Sequence, residues 1–144
     1  GIGLYGVHPS GGIGLETVNT LKTTILQIKE IGADQTVGYS RKGVINRASR
    51  VAAIPIGYAH GLNRRLRNGN AYSLVNGQQA PYLGNICMDV SMIDITNIPC
   101  KEGDEVIIYG EDLPAQVLAD KLDTIPYEIL ANISSRVKRV YFLD

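Results

Sequence analysis

Hydrophobic and polar positions follow a period of two over most of the chain. From Leu15 to Ile31 the β-branched residues Thr17, Val18, Thr20, Thr23, Thr24, Ile25 and Ile28 predict one long extended segment. Val37 to Arg41 continues it after a Gly-Ala-Asp turn, and Val51 to Ile56 is an apolar strand ended by Gly57. Tyr72 to Val75, Asn76-Gly77 and Gln79 to Leu83 together read as a hairpin, because Asn-Gly accepts the positive φ angles of a type I′ turn. Pro81 predicts an edge or a bulge for the return strand, since proline donates no ladder hydrogen bond. Ser91 to Ile95 and Glu105 to Tyr109 are further strands.

The period then changes. Leu118, Ala119 and Leu122 recur at helical spacing within Pro114 to Leu122. Ile125, Ile129 and Ile133 do so within Thr124 to Ile133, with Thr124 as the expected N-cap and Pro126 tolerated in the first turn. Lys138 to Leu143 reads as a closing strand. The fold class predicted is mainly β, a β-barrel-like domain with two short helices near the C-terminus. With no internal repeat or linker, residues 1–144 read as one domain.

Charge narrows the function. Fourteen basic and fourteen acidic residues cancel, so no global field draws the chain to nucleic acid or an anionic membrane. The apolar runs are too short to span a bilayer, and no signal peptide is apparent at Gly1. Two cysteines, Cys87 and Cys100, form no disulfide framework or CxxC spacing, which predicts a reduced, cytoplasmic setting. His8 and His60 are isolated, so no metal site is expected. The aromatic residues are eight Tyr, one Phe and no Trp. Buried phenols need partners, so this bias predicts a polar surface lined by hydroxyls, or strand tyrosines with one wet end.

Five stretches carry candidate chemistry. Tyr39 lies beside Arg41 and Lys42, and nearby cations favour a phenolate that could act as a general base; the plainer alternative is a strand tyrosine beside a solvated basic pair. Gly57-Tyr58-Ala59-His60-Gly61 places a short polar turn between glycines, followed by Arg64, Arg65 and Arg67, which either clamp an anion or form a solvated patch. Asn85-Ile86-Cys87-Met88-Asp89 is compact; Cys87 reads as buried and inert, and the Met88 backbone N–H is a candidate anion donor. Tyr127 opens the last helix, where its hydroxyl either bonds a phosphate oxygen or covers the core. The Gly-rich opening, Gly1-Ile-Gly-Leu-Tyr-Gly, permits close backbone approach to a ligand or is a flexible leader.

These segments, in this order, resemble the carboxy-terminal domain of bacterial alanine racemase, a pyridoxal-phosphate-dependent family of fold type III. The resemblance runs from Gly1 to Tyr141. Its most specific parts are Ile54-Pro55-Ile56-Gly57-Tyr58-Ala59 with Gly61, Ala80-Pro81 with Gly84-Asn85-Ile86-Cys87-Met88-Asp89, and Thr124-Ile125-Pro126-Tyr127-Glu128-Ile129. It implies interconversion of L- and D-alanine for cell-wall peptidoglycan. It also implies an amino-terminal β/α barrel carrying the Schiff-base lysine, and a head-to-tail homodimer in which this domain completes the partner subunit's site. Tyr39 matches the catalytic tyrosine that takes the α-proton on one face. Tyr58 matches the tyrosine lining the substrate entrance, and Met88 the residue whose backbone N–H binds the substrate carboxylate. Tyr127 matches the tyrosine that bonds the cofactor phosphate of its own subunit. Gly1 and Ile2 match the end of the last barrel strand, whose backbone also holds phosphate, so residues 1–12 are expected to be the tail of that barrel.

Two positions depart from the pattern: His60 stands where the family usually has Asp, and Asn85 replaces a common Arg. None of the six lysines has a Schiff-base setting, so the 144-residue chain alone is expected to be inactive, for want of an electron sink. Two alternatives stay open: a racemase of broader specificity, acting for example on serine, and a non-catalytic β dimerisation or binding module.

Overall fold

The computed structural model describes residues 1–7, 14–33, 35–37, 43–44 and 46–142. Among the described residues nine strands precede two helices: β1 (Leu21–Thr24), β2 (Gln27–Ile31), β3 (Thr36–Val37), β4 (Gly43–Val44), β5 (Ser49–Ile54), β6 (Tyr72–Val75), β7 (Gln78–Leu83), β8 (Ser91–Asp94), β9 (Glu105–Tyr109), α1 (Ala115–Leu122) and α2 (Pro126–Ala131). Single 3-10 turns cover Ile2–Tyr5, Tyr58–His60 and Arg64–Leu66. No helix among the described residues is long and apolar enough to cross a membrane.

Seven strands form one antiparallel sheet in the order β1-β9-β6-β7-β8-β5-β2, and β3 pairs with β4 in a second. β1 and β2 are adjacent in sequence yet lie at opposite ends of that order. A flat seven-stranded sheet would hold its edges about 29 Å apart. The three residue steps from Thr24 to Gln27 reach at most about 11 Å, so the sheet must curl. Ile25 and Leu26 make the link: Ile25 N–H donates to Asp104 O at 2.9 Å, before β9, and Leu26 N–H to Ala53 O at 2.8 Å, in β5. The extended segment expected over Leu15 to Ile31 is therefore two strands with a crossing between them, and residues 14–20 belong to no strand. The mainly β, barrel-like class with two late helices holds.

The hairpin forms as the sequence predicts, with Asn76 at φ 49° and Gly77 at φ 73°. Pro81 corrects an expectation, because β7 is flanked by both β6 and β8. Tyr82 N–H points to β6, at Ala71 O. The alternation therefore turns Pro81 toward β8, where pairing begins only at Tyr82. The missing donor costs no ladder bond, and proline is tolerated inside the sheet.

The concave face holds Ala52, Ile54, Val75, Ile93, Ile95, Val106 and Ile108, all buried. α1 covers it with Ala115, Leu118 and Leu122. The second helix starts at Pro126, and its N-cap is Ile125, without a side-chain cap bond, not Thr124. A residue before proline is confined to extended backbone, here φ −111° and ψ 152°, so the helix cannot begin earlier. Thr124 Oγ1 instead bonds the Glu128 carboxylate. The closing strand does not form: residues 138–142 pair with nothing in the sheet, and Val140, Tyr141 and Phe142 are exposed. Alternation alone makes no strand where no sheet edge lies alongside.

Candidate functional site

At the end of β5 the chain passes through Ile56, whose carbonyl accepts the buried Ser91 hydroxyl at 2.6 Å, and enters the Tyr58–His60 turn. The turn is laid against the Cys87–Met88 backbone. Tyr58 N–H donates to Cys87 O and Ala59 N–H to Met88 O, each at 3.0 Å. The flanking glycines exist for this packing. A Cβ on Gly57 would lie 2.2 Å from Cys87 O and 2.5 Å from Met88 O. A Cβ on Gly61, at φ 106°, would lie 2.4 Å from Asn132 O. Glycine here admits neighbouring backbone, in place of the ligand approach considered from the sequence. Tyr58 and Met88 stay about half exposed, at 46% and 51%. Among the described residues the Met88 N–H meets no acceptor, whereas that of Cys87 bonds Val90 O at 3.1 Å.

The three arginines after the turn do not converge. Arg64 lies over the Tyr58 ring, 5.8 Å from its centroid. Arg65 donates to Leu122 O at the end of α1 (2.9 Å), and Arg67 to Asn85 Oδ1 (3.0 Å). The anion clamp gives way to one cation–π contact and two internal hydrogen bonds. Cys87 is half-buried rather than buried, its thiol 3.7 Å from Asn85 O. Arg136 approaches Asp89 Oδ1 at 3.1 Å, an ion contact without hydrogen-bond alignment that tethers the C-terminal segment to the residue after Met88.

A second grouping joins the two ends of the chain. Ile2 N–H donates to the Tyr127 hydroxyl at 2.6 Å, across 125 positions. A Cβ on Gly1 would lie 3.1 Å from that hydroxyl. Having accepted from Ile2, the phenol keeps its own proton for an outside acceptor, and Tyr127 is 46% exposed. The Ile2 N–H is spent on the phenol, so the free phenolic proton is the donor here that suits a phosphate oxygen. The turn and this pair are connected through α2, because Ser134 N–H donates to His60 O at 3.3 Å just past the helix. No group of three or more metal-ligating side chains occurs among the described residues.

Of the residues singled out from sequence, the structure thus brings Tyr58 to Met88, and Tyr127 to Gly1 and Ile2. Tyr39, with Arg41 and Lys42, lies outside the described residues; Val37 and Gly43, on either side, pair with each other. The sequence reading missed His60 as a partner in the turn. Its Nδ1 accepts the Gly57 N–H at 3.1 Å, while its own N–H donates to Gly57 O at 3.0 Å. The three-residue offset is that of a capping box, but Gly57 has no side chain and His60 is neither Glu nor Gln, so the sequence carried no such signal.

The family model for "Alanine racemase, C-terminal domain" matches residues 18–141. Alanine racemase 2 of Caldanaerobacter subterraneus subsp. tengcongensis is 43% identical over 98% of this chain, and the alanine racemase of Halothermothrix orenii is 44% identical over 98%. Among solved structures, the Bartonella henselae alanine racemase with covalently bound pyridoxal phosphate superposes with a TM-score of 0.92 at 37% identity over 99% of this chain. The chain spans 38%, 39% and 40% of the lengths of these three proteins. A fold shared at that level, with the family model spanning nearly the whole chain, makes it a member of the alanine racemase C-terminal domain family.

Proposed function

We propose that the chain is the C-terminal domain of a cytoplasmic, pyridoxal-phosphate-dependent alanine racemase and supplies part of the partner subunit's site in a homodimer. In this reading residues 1–144 form that domain, with residues 1–12 the tail of the preceding barrel. The observation that carries it is the Ile2–Tyr127 hydrogen bond, which unites the residues assigned to cofactor phosphate from opposite ends of the sequence. Tyr127 donates its free hydroxyl proton to a phosphate oxygen, and the Gly1–Ile2 backbone lies beside that phosphate, with the Ile2 N–H orienting the phenol. The bound cofactor supplies the electron sink that lets an amino acid lose its α-proton. Met88 presents its N–H to the substrate carboxylate, and the Cys87 and Met88 carbonyls are held by the Tyr58 turn, which fixes the direction of that N–H. Tyr58 narrows the entrance beside it. Tyr39 takes or returns the α-proton on one face, and a lysine outside this chain serves the other.

The test is direction-specific. In the intact enzyme, Tyr39→Phe should slow α-proton exchange with deuterated solvent from one enantiomer of alanine by about 10²–10⁴-fold and leave the other direction far less affected. Equal loss from both enantiomers, or none, would overturn the assignment of Tyr39. Absence of racemisation by the unmodified intact enzyme would overturn the function.

A further inference from the structure

The Tyr58 turn closes through one side chain that can change charge. Gly57 N–H donates to His60 Nδ1 at 3.1 Å, and His60 N–H donates back to Gly57 O at 3.0 Å. Nδ1 is bonded to Cγ, as is Oδ1 of an aspartate or asparagine, so the ring nitrogen stands where either of those side chains would place an acceptor. Unlike them, it accepts only while the imidazole is neutral with its proton on Nε2. Protonation sets two N–H groups against each other. Imidazole is the side chain that ordinarily makes this change between about pH 5 and 8.

Among the described residues, the Gly57 N–H donates to His60 Nδ1, and the nearby 85–89 segment carries one buried acceptor without a hydrogen bond, Asp89 Oδ1. The packed elements are the 85–89 segment, carrying Cys87 and Asp89, and the stretch after α2, carrying Arg136, Lys138 and Arg139, the last donating to the Ile133 and Ser134 carbonyls. Asp89 and Arg136 face each other at 3.1 Å. On the turn's own continuation, Arg64 lies over the Tyr58 ring. The backbone on both flanks is already committed, with Cys87 O and Met88 O on one side and Ser134 N on the other.

We propose that His60 is a positioning residue for Tyr58 and Met88, a proton-sensitive clasp that holds the entrance turn in place when neutral and releases it on acidification. The clasp itself rests on geometry in this chain. Its consequence for substrate rests on the functional reading above, in which Tyr58 and Met88 meet alanine.

Two readouts on the intact protein separate these levels. The first is amide hydrogen exchange of the peptide spanning residues 57–61, corrected for intrinsic rates, at about pH 7.5 and about pH 5.5. In the unmodified protein exchange should rise roughly three- to tenfold at the lower pH, the worth of one backbone hydrogen bond. His60→Asn, which keeps an acceptor that cannot titrate, should hold its protection at both, and His60→Ala should exchange fast at both. The second readout is the alanine KM over the same interval, which should rise in the unmodified enzyme and stay level in His60→Asn, while kcat moves in parallel in the two. Exchange that is constant with pH in the unmodified protein, or that rises equally in His60→Asn, overturns the clasp whatever the activity. Exchange as expected with no racemisation upholds the clasp and overturns the functional reading.

Discussion

Tyr82 in the sheet and Tyr58 and Tyr127 at its rim are the same side chain in opposite circumstances. Tyr82 is fully buried in β7, and its hydroxyl accepts the Ser73 hydroxyl at 2.7 Å. Burial pushes its phenol strongly upward, against a small opposing pull from Ser73. Tyr109 is nearly as buried, and burial raises it too, more than Arg139 lowers it. These two lack the wet end that a strand tyrosine suggests. Tyr58 and Tyr127 instead have their backbones held and their rings half exposed. A polar tip is satisfied in the interior by pairing within the sheet, and at the rim by partial exposure, with Tyr127 also accepting the Ile2 N–H.

Truncating the interior residue is the strongest test of this contrast. Tyr82→Ala should cost about 3–5 kcal/mol in denaturant unfolding, since the cavity opens in the core beneath a strand held on both sides. Gly57→Ala comes next, at about 1–3 kcal/mol, because two backbone carbonyls must move; circular dichroism melting would measure it. Tyr82→Phe should cost about 1–2 kcal/mol by stranding the Ser73 hydroxyl, and adding Ser73→Ala should restore part of it. The same residue sets a pH dependence. An unfolded phenol ionises near its ordinary value of 10.0 while the folded one stays protonated, so stability is full below pH 10.0 and falls as pH rises above it. Tyr82→Phe should flatten that alkaline limb in pH-resolved melts. At the rim, Tyr127→Phe should cost about 1 kcal/mol or less and register mainly as faster exchange at Ile2. Arg64→Ala should be the smallest, at about 0.5 kcal/mol, with Tyr58 fluorescence as the probe. A rim substitution that outweighs Tyr82→Ala would break the comparison.

Legibility in the sequence tracked the range of the interactions. The Asn76-Gly77 hairpin, β9 and α1 are set by neighbours in sequence and appear where the pattern puts them. The crossing at Ile25–Leu26, the interior place of Pro81 and the inward turn of Tyr82 depend on which strands lie alongside, and periodicity does not say. Lys138 to Leu143 fails for the same reason. At the site, the motif order exposed Tyr58, Met88 and Tyr127 as candidates. Their groupings rest on contacts between distant segments, from Gly57 against Cys87 to Ile2 against Tyr127.

The two-residue crossing also bears on how the molecule is assembled in time. β6, β7 and β8 pair in succession through short connections, whereas β1 must find β9 across almost the whole intervening sheet. Because Ile25 and Leu26 tether β1 to β2, neither strand can take its final register until both ends of the sheet are built. Such non-local closure is slow and comes late. The seam between β1 and β2 is therefore the last part to fold and the first to breathe, and refolding followed by pulsed deuterium labelling should find the β1 amides protected after those of β6 and β7.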